Sequence, residues 1–389
     1  MTRLRIAYLC DHSPLDRNLY SGGNARIHDA LCAHAGDVTI LDNRWHGVQP
    51  VRRLIEALPV GANLRLRWRM HLMLARRIAR GVETELARGG YDVLFGAYSL
   101  HSMAQVRVPA GCIKVFTSDA TQTVYRTSEI GASFKRKLAL SALMDTWVER
   151  QEKAILHSLD LALWPSQWLL DAVTDRYDLP PKAARLIEWG ANIDPVPAPA
   201  PRRIAPDAPL RLLLIGRDWF AKGGPVAFDT MQALRAQGVD ARLCVIGCMP
   251  PAFHTNEWVT IHPQLDKAIP DQLAQFNAAL AGAHFLVQPS FESYGFAFCE
   301  ASAHGLPSLC LRVGGVPVRD GINGHALPPG SPPDAFAARI RTYLDDPSGY
   351  AALCASARRE YEERLNWDAW GRRTAQALHE VRAAQRLDR

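Results

Sequence analysis

The stretch AHFLVQPSFESYGFAFCEASAHG, residues 283–305, decides how the rest of the chain is read. It opens on an apolar run, Phe285-Leu286-Val287, the length of a buried strand. Pro289 and Ser290 end that strand. A helical pattern follows, with Phe296, Cys299 and Ala303 on one side, and Gly305 with Pro307 stops it. Glu292 falls in the loop and Glu300 a turn or so into the helix, with seven residues between them. Both sit at the carboxyl end of a strand, where open α/β sheets bind ligands. The free amides of Phe296 and its neighbours at the helix start suit an anion. Carboxylates accept hydrogen bonds from sugar or ribose hydroxyls and amides take a phosphate. A nucleotide sugar offers both parts. The alternative is that Glu292 and Glu300 are solvated surface acids at a loop and a helix end.

Upstream, Leu210–Ile215 reads as a strong strand running into GRDWFAKGG, residues 216–224. Arg217 and Lys222 closely follow the strand end, with Gly223-Gly224 beside them. Two cations with glycines at a helix start would hold a diphosphate, or else they are surface charges. This is not a Walker loop, because no Ser or Thr follows the Lys. Ala241–Gly247, Trp258–Ile261 and His284–Gln288 continue the sheet, with a helix near Asp271–Leu280. Leu309–Arg312 is a strand ending at Gly314-Gly315.

PSFESYGFAFCEASAHGLPSL resembles the E-x7-E segment of retaining GT-B glycosyltransferases, the large family 4 in particular. The usual form has Pro-Ser, a Glu before Gly-Phe-Gly, a second Glu before Ala, then Gly-x-Pro. This sequence keeps Glu292, Glu300, Gly295, Phe296, Ala301, Gly305 and Pro307. Arg217 and Lys222 resemble the family's Gly-Arg…Lys-Gly motif, which contacts the donor diphosphate. WPSQWLL and EWGANID resemble its strand–Ser–helix unit and the Asn-Gly-Val-Asp segment before the second domain. Asn192 and Asp194 are kept, while Gly-Val is reduced to Ile193. The run GGVPVRDGINGH departs from the pattern. It is two residues short and lacks the acid after Pro317, so the resemblance carries no donor contact onto this loop.

The chain has 389 residues and a formal charge of +6, and 48% of it is hydrophobic. Two α/β domains with well-buried cores are expected. The mild basic excess favours anionic partners. No zinc spacing, RNA-binding aromatic signature or helix-turn-helix points to nucleic acid. The eight cysteines are scattered, and CxxxC at Cys244 and Cys248 has no matching pair, so neither zinc nor a disulfide framework is expected. MTRLRIAYLC reads as a first strand and not a signal peptide, and no apolar run reaches the roughly 20 residues of a membrane helix. A cytoplasmic protein is expected.

The first half alternates strand and helix. Leu4–Leu9 is a strand, Ala25–His34 a helix and Val38–Leu41 the next strand, a βαβ opening that predicts a parallel sheet. Gly22-Gly23 lets backbone come close to a ligand, or forms an ordinary turn. Residues 51–88 are dense in arginine, with Leu, Trp68 and Met between. This is a basic amphipathic helix that lies on an anionic membrane, or a core-facing helix with solvated arginines. Tyr91–Phe95 and Cys112–Phe116 are further strands. Asp119, just past the second, is an acceptor-side base or sugar contact, or it caps the next segment. Phe134–His157 reads as a long helix with Leu138, Leu143, Trp147 and Ile155 on its apolar side. Leu159–Trp164 is a strand, with Ser166 capping the next helix. Residues 195–209, PVPAPAPRRIAPDAP, are proline-rich and stiff, a domain boundary.

The resemblance implies an α/β GT-B architecture, two Rossmann-like domains with parallel sheets facing across a cleft. They are an acceptor-side domain at 1–194, a linker at 195–209 and a nucleotide-sugar domain at 210–365. Leu365-Asn366-Trp367-Asp368 resembles the family's Phe-x-Trp segment, so a last helix at about 366–389 is expected to pack back on the first domain. The implied reaction is retaining transfer of a hexose-type sugar from a UDP- or GDP-sugar to an acceptor hydroxyl, with no cofactor and no metal. In it Arg217 and Lys222 stabilise the leaving diphosphate, and Glu300 holds the ribose. Glu292 binds sugar hydroxyls and steadies the reacting centre. Gly295 and Phe296 donate amides, and Gly22 and Gly23 help form the face that meets donor phosphates and acceptor. A saccharide or lipid-linked acceptor is implied, in polysaccharide, lipopolysaccharide or glycolipid synthesis, with peripheral contact of 51–88 to the inner membrane face. The alternative is a non-catalytic nucleotide-sugar binder or membrane-associated scaffold. An NAD-dependent enzyme is disfavoured, since no G-x-G-x-x-G follows either first strand.

Overall fold

A computed structural model describes residues 2–42, 45, 47–132, 144–205 and 207–387. The chain forms two compact units, Met1–Glu188 with Trp367–Arg389, and Trp189–Asn366. Each is built on a six-stranded parallel sheet, giving the two Rossmann-like domains of a GT-B architecture.

In the first unit the strands are β1 (Leu4–Leu9), β2 (Gly36–Ile40), β3 (Val93–Ala97), β4 (Ile113–Thr117), β5 (Leu161–Trp164) and β6 (Ala184–Leu186), in the order β2-β1-β3-β4-β5-β6. β3 and β4 are buried along their whole length, as expected of a sheet covered on both faces. The short edge strand β6 has too little apolar sequence to announce itself.

The arginine-rich region folds as three helices, Gln49–Glu56, Val60–Met73 and Ala75–Gly89. Ala75, Ile78, Ala79, Val82 and Leu86 recur every three or four residues and are buried. Arg52 pairs with Glu56 at 2.7 Å and Arg76 with Glu83 at 2.5 Å, while Arg67 is itself buried. Arg52, Arg67 and Arg76 therefore serve internal pairing beside a core-facing helix. Leu54 and Met73 stay exposed. The expected long helix is described over Asp145–Leu156, with Val148 and Ile155 inward. Residues 133–143, with Phe134, Leu138 and Leu143, lie outside the described residues. The last helix, Trp367–Leu387, belongs to this unit. Its Trp370 is fully buried against Phe95, and Gly371 sits where a Cβ would press on Ala30 and His34.

In the second unit the strands are β7 (Leu210–Ile215), β8 (Ala241–Ile246), β9 (Val259–His262), β10 (Phe285–Gln288), β11 (Ser308–Leu311) and β12 (Gly324–Leu327), in the order β12-β11-β10-β7-β8-β9. The chain reverses direction across the sheet between β7 and β10, so the loops after these two strands flank the switch point where such sheets bind ligands. The proline-rich stretch runs along this unit. The Arg202 guanidinium donates to the carbonyls of Leu280, Ala283 and His304, and Arg358 donates to those of Val196 and Pro197.

Candidate functional site

The loop after β10 is shaped by Gly295, which caps the helix Phe296–Ala303 at φ +92°, where a Cβ would lie 2.7 Å from the Phe298 ring. The sequence pattern suggested a helix with one apolar side. Instead every residue from Ala297 to Ala303 is buried, and the half-buried Phe296 stacks on Trp189 with centroids 5.8 Å apart. The Tyr294 hydroxyl donates to the Trp189 carbonyl at 2.6 Å and fixes the loop. Solvated surface acids are thereby excluded for Glu300, which is only 3% exposed.

Glu292 gathers three donors on Oε1: Lys222 Nζ at 2.5 Å, Ser290 Oγ at 2.8 Å and Gln288 Nε2 at 3.3 Å. Gly315 donates its amide to the Glu292 carbonyl, so the shortened GGVPVRDG loop touches the backbone of this acid. Lys222 comes from the loop after β7. It folds back because Gly216 has no side chain: a Cβ there would lie 2.3 Å from Lys222 Cγ. Gly223, at φ +75°, lets this loop reach the Pro289 carbonyl, 2.4 Å from where a Cβ would be. The two loops are thus locked together through glycines. Arg217 is exposed and pairs with no carboxylate among the described residues. The expected pair of cations is one engaged lysine and one open arginine.

Glu300 has a partner that sequence reasoning missed. Lys267, between β9 and the helix Pro270–Gly282, binds Glu300 Oε1 through its ammonium. The same ammonium lies 4.3 Å above the Phe276 ring and 3.5 Å from the Asn192 carbonyl. The separation of 33 positions between Lys267 and Glu300, and the ordinary polar loop around Lys267, give no sequence signal for the pair.

In the first unit Gly22 has φ 89° and Gly23 opens the helix Gly23–His34. Tyr20 and Ser21 precede them with φ 51° and 55°, a left-handed run costly for residues with side chains. Tyr20 stacks on Tyr98 with centroids 4.1 Å apart. Asp119 is half-buried, two residues beyond β4. It does not cap the next helix: Thr121 does, accepting from the Val124 amide at 3.1 Å. Burial pushes the Tyr98 phenol well above its usual value, and the nearby Asp119 charge adds to this.

Sequence reasoning also missed a buried cluster at the ends of β1 and β3. Asp11 Oδ2 meets His101 Nε2 at 2.7 Å, and the His71 ring lies 4.8 Å from that of His101. Burial pushes His71 down to about 3. Asp11, His71 and His101 are the described residues best placed to hold a metal, with ligand atoms within 4.8 Å of one another. However, the Arg67 guanidinium lies 3.6 Å from the same Asp11 oxygen, so the carboxylate charge is already matched.

Residues 209–346, within the second unit, match the family Glycosyl transferases group 1. The chain is 38% identical over 119 residues to D-inositol 3-phosphate glycosyltransferase of Streptomyces avermitilis, covering 30% of this chain and 25% of that protein. It is 25% identical over 257 residues to the enzyme of that name from Corynebacterium glutamicum, covering 61% of each. Among solved structures, sucrose-phosphate synthase from Thermosynechococcus elongatus superposes with a TM-score of 0.64 at 21% identity, over 98% of this chain and 100% of that one. HepE from Anabaena, solved in complex with UDP, gives 0.62 at 13% identity, over 97% and 100%. At these identities the structural likeness speaks for the fold alone. The match extends over about a quarter of the Streptomyces relative.

Proposed function

We propose that this protein is a retaining glycosyltransferase that moves a sugar from a nucleotide-diphosphate sugar to an acceptor hydroxyl. The observation that carries this reading is the meeting of Lys222 and Glu292 at the switch point of the second sheet, on a loop that also carries the exposed Arg217. As the bond between the anomeric carbon and the diphosphate breaks, its electron pair goes to the diphosphate. Lys222 and Arg217 face that growing charge. Glu292 accepts from sugar hydroxyls, its Oε2 taking no hydrogen bond from the described residues, and steadies the oxocarbenium-like centre. Gly295 and Phe296 present amides at the helix start, and Glu300 takes the ribose hydroxyls. Gly22, Gly23 and Asp119 belong to the acceptor-side unit, with Asp119 as acceptor contact or base.

The group 1 match supports a nucleotide-sugar donor, a UDP- or GDP-sugar. The names of the curated relatives support a hydroxyl of a small phosphorylated polyol as acceptor. A saccharide or lipid-linked acceptor in polysaccharide, lipopolysaccharide or glycolipid synthesis fits the same chemistry, without a metal. No helix among the described residues is long and apolar enough to cross a membrane. Contact with an inner membrane face through 51–88 would use exposed Leu54, Leu66 and Met73 beside the arginines. The shortened loop at Gly314–His325 favours one competing reading, a nucleotide-sugar binder without turnover.

The test mixes the protein with UDP-, GDP- and ADP-sugars and follows thermal stabilisation and release of free nucleotide, alongside Lys222→Ala. Stabilisation and release with one donor, lost in the variant, is the expected result. Stabilisation without release, even with membrane extract supplying acceptors, would make the protein a binder.

A further inference from the structure

The Glu300 carboxylate is buried inside a helix whose neighbours are almost all apolar, where an unmatched charge is costly. Its counter-charge arrives from a separate element. Lys267 stands on a loop tied to the following helix: the Asp266 amide donates to Gln272 Oε1 at 2.6 Å, and Asp266 Oδ1 accepts from the Ala268 amide at 2.9 Å. The ammonium has three N–H groups and three neighbours, namely Glu300 Oε1, the Asn192 carbonyl and the face of Phe276. The protein's own groups hold it in place. Glu300 Oε1 is thereby occupied, while Oε2 takes no hydrogen bond from the described residues.

We infer that Lys267 is a positioning residue for the nucleotide end of the site, holding Glu300 by Oε1 so that Oε2 is left to accept from the vicinal hydroxyls of a ribose. This rests on the donor reading above. It assigns to the Lys267–Glu300 pair the discrimination of a ribonucleotide from a nucleotide lacking the 2′-hydroxyl. A carboxylate fixed by one oxygen loses little freedom when the other binds, so the hydroxyl contact is made at low entropic cost.

The experiment measures binding of UDP, GDP and ADP, each with its 2′-deoxy counterpart, by calorimetry. The proteins are the native chain, Lys267→Met, Lys267→Arg, Glu300→Gln and the Met/Gln double variant. Inorganic pyrophosphate is the control for the diphosphate half of the site. The native protein should prefer the ribonucleotide by roughly tenfold or more, as a hydrogen bond to a charged group allows. Lys267→Met should lose most of that preference while binding pyrophosphate as the native protein does, and Lys267→Arg should recover part of it. The double variant should lose no more than either single variant, because the two residues act as one unit. A Lys267→Met protein that keeps the native ratio overturns the inference. So does one that loses pyrophosphate and nucleotide together, which would make Lys267 merely structural. If no nucleotide binds the native protein, the donor reading itself fails and takes the inference with it.

Discussion

At the scale of the residue, Arg217 and Lys222 share a loop and a charge but not a situation. Lys222 is bound to Glu292 and its stem lies against Gly216, so removing it changes both the anion site and the setting of the acid. Arg217 is exposed and carries no ion pair among the described residues, so its removal costs the fold little. Arg217→Ala is therefore expected to lower kcat by about 10²-fold with an unchanged melting temperature, as loss of one charge-stabilising donor does. Lys222→Ala should cost at least as much in rate and also lower the melting temperature. Nucleotide-release assays paired with melts separate the two. An Arg217→Ala enzyme of native rate would remove Arg217 from the site.

At the scale of the element, the glycines that bend the loops are as necessary as the charges the loops carry. Gly295→Ala must place a Cβ at φ +92° and 2.7 Å from the Phe298 ring. It should destabilise by about 1–3 kcal/mol and move the first turn of the helix, with weaker donor binding. Urea melts and donor titrations check this, and a variant of native stability would mean that the loop adapts. The pieces legible in the sequence were of this local kind. Arg217, Lys222 and Glu292 stand on the loops that directly follow an apolar strand, and Glu300 in the helix that such a loop opens, so position along the chain already implied position at the sheet edge. Lys267 also follows a strand, β9, but its pairing with Glu300 could not be read that way, because the two residues stand on separate elements that meet only in the folded unit. The Asp11–His71–His101 cluster draws on three separate segments and was hidden for the same reason. The basic region 51–88 was read as one helix because its composition is uniform, whereas the breaks after Glu56 and at Leu74 depend on tertiary packing. The edge strands β6 and β12 were missed because three or four residues carry too little apolar periodicity.

At the scale of the whole molecule, the tail and the buried imidazoles set how each unit holds together. Trp370 is fully buried in the first unit, against Phe95 and Trp367. Trp370→Ala should cost about 3–5 kcal/mol and lower the melting temperature by about 10 °C. Circular-dichroism melts test this, and a shift below a few degrees would mean that the last helix is dispensable. Acid should loosen both units through histidines kept neutral. Burial is the main cause at each: it pushes His71 to about 3 in the first unit, and His284 and His304 to about 4 in the second. Unfolding returns each to about 6.5, so below that pH the unfolded chain binds more protons than the folded one. Stability is therefore full above about pH 6.5 and falls as the pH drops toward the folded values, by about 1 kcal/mol per imidazole between pH 6.5 and 5.5. His304 Nε2 has no hydrogen-bond partner among the described residues, so His304→Leu should remove one imidazole from the slope without breaking a side-chain bond seen there. Urea titrations at pH 7.5, 6.5 and 5.5 give the slope directly. Native and His304→Leu proteins with the same pH dependence would show that this imidazole is protonated within the fold and contributes nothing to acid sensitivity.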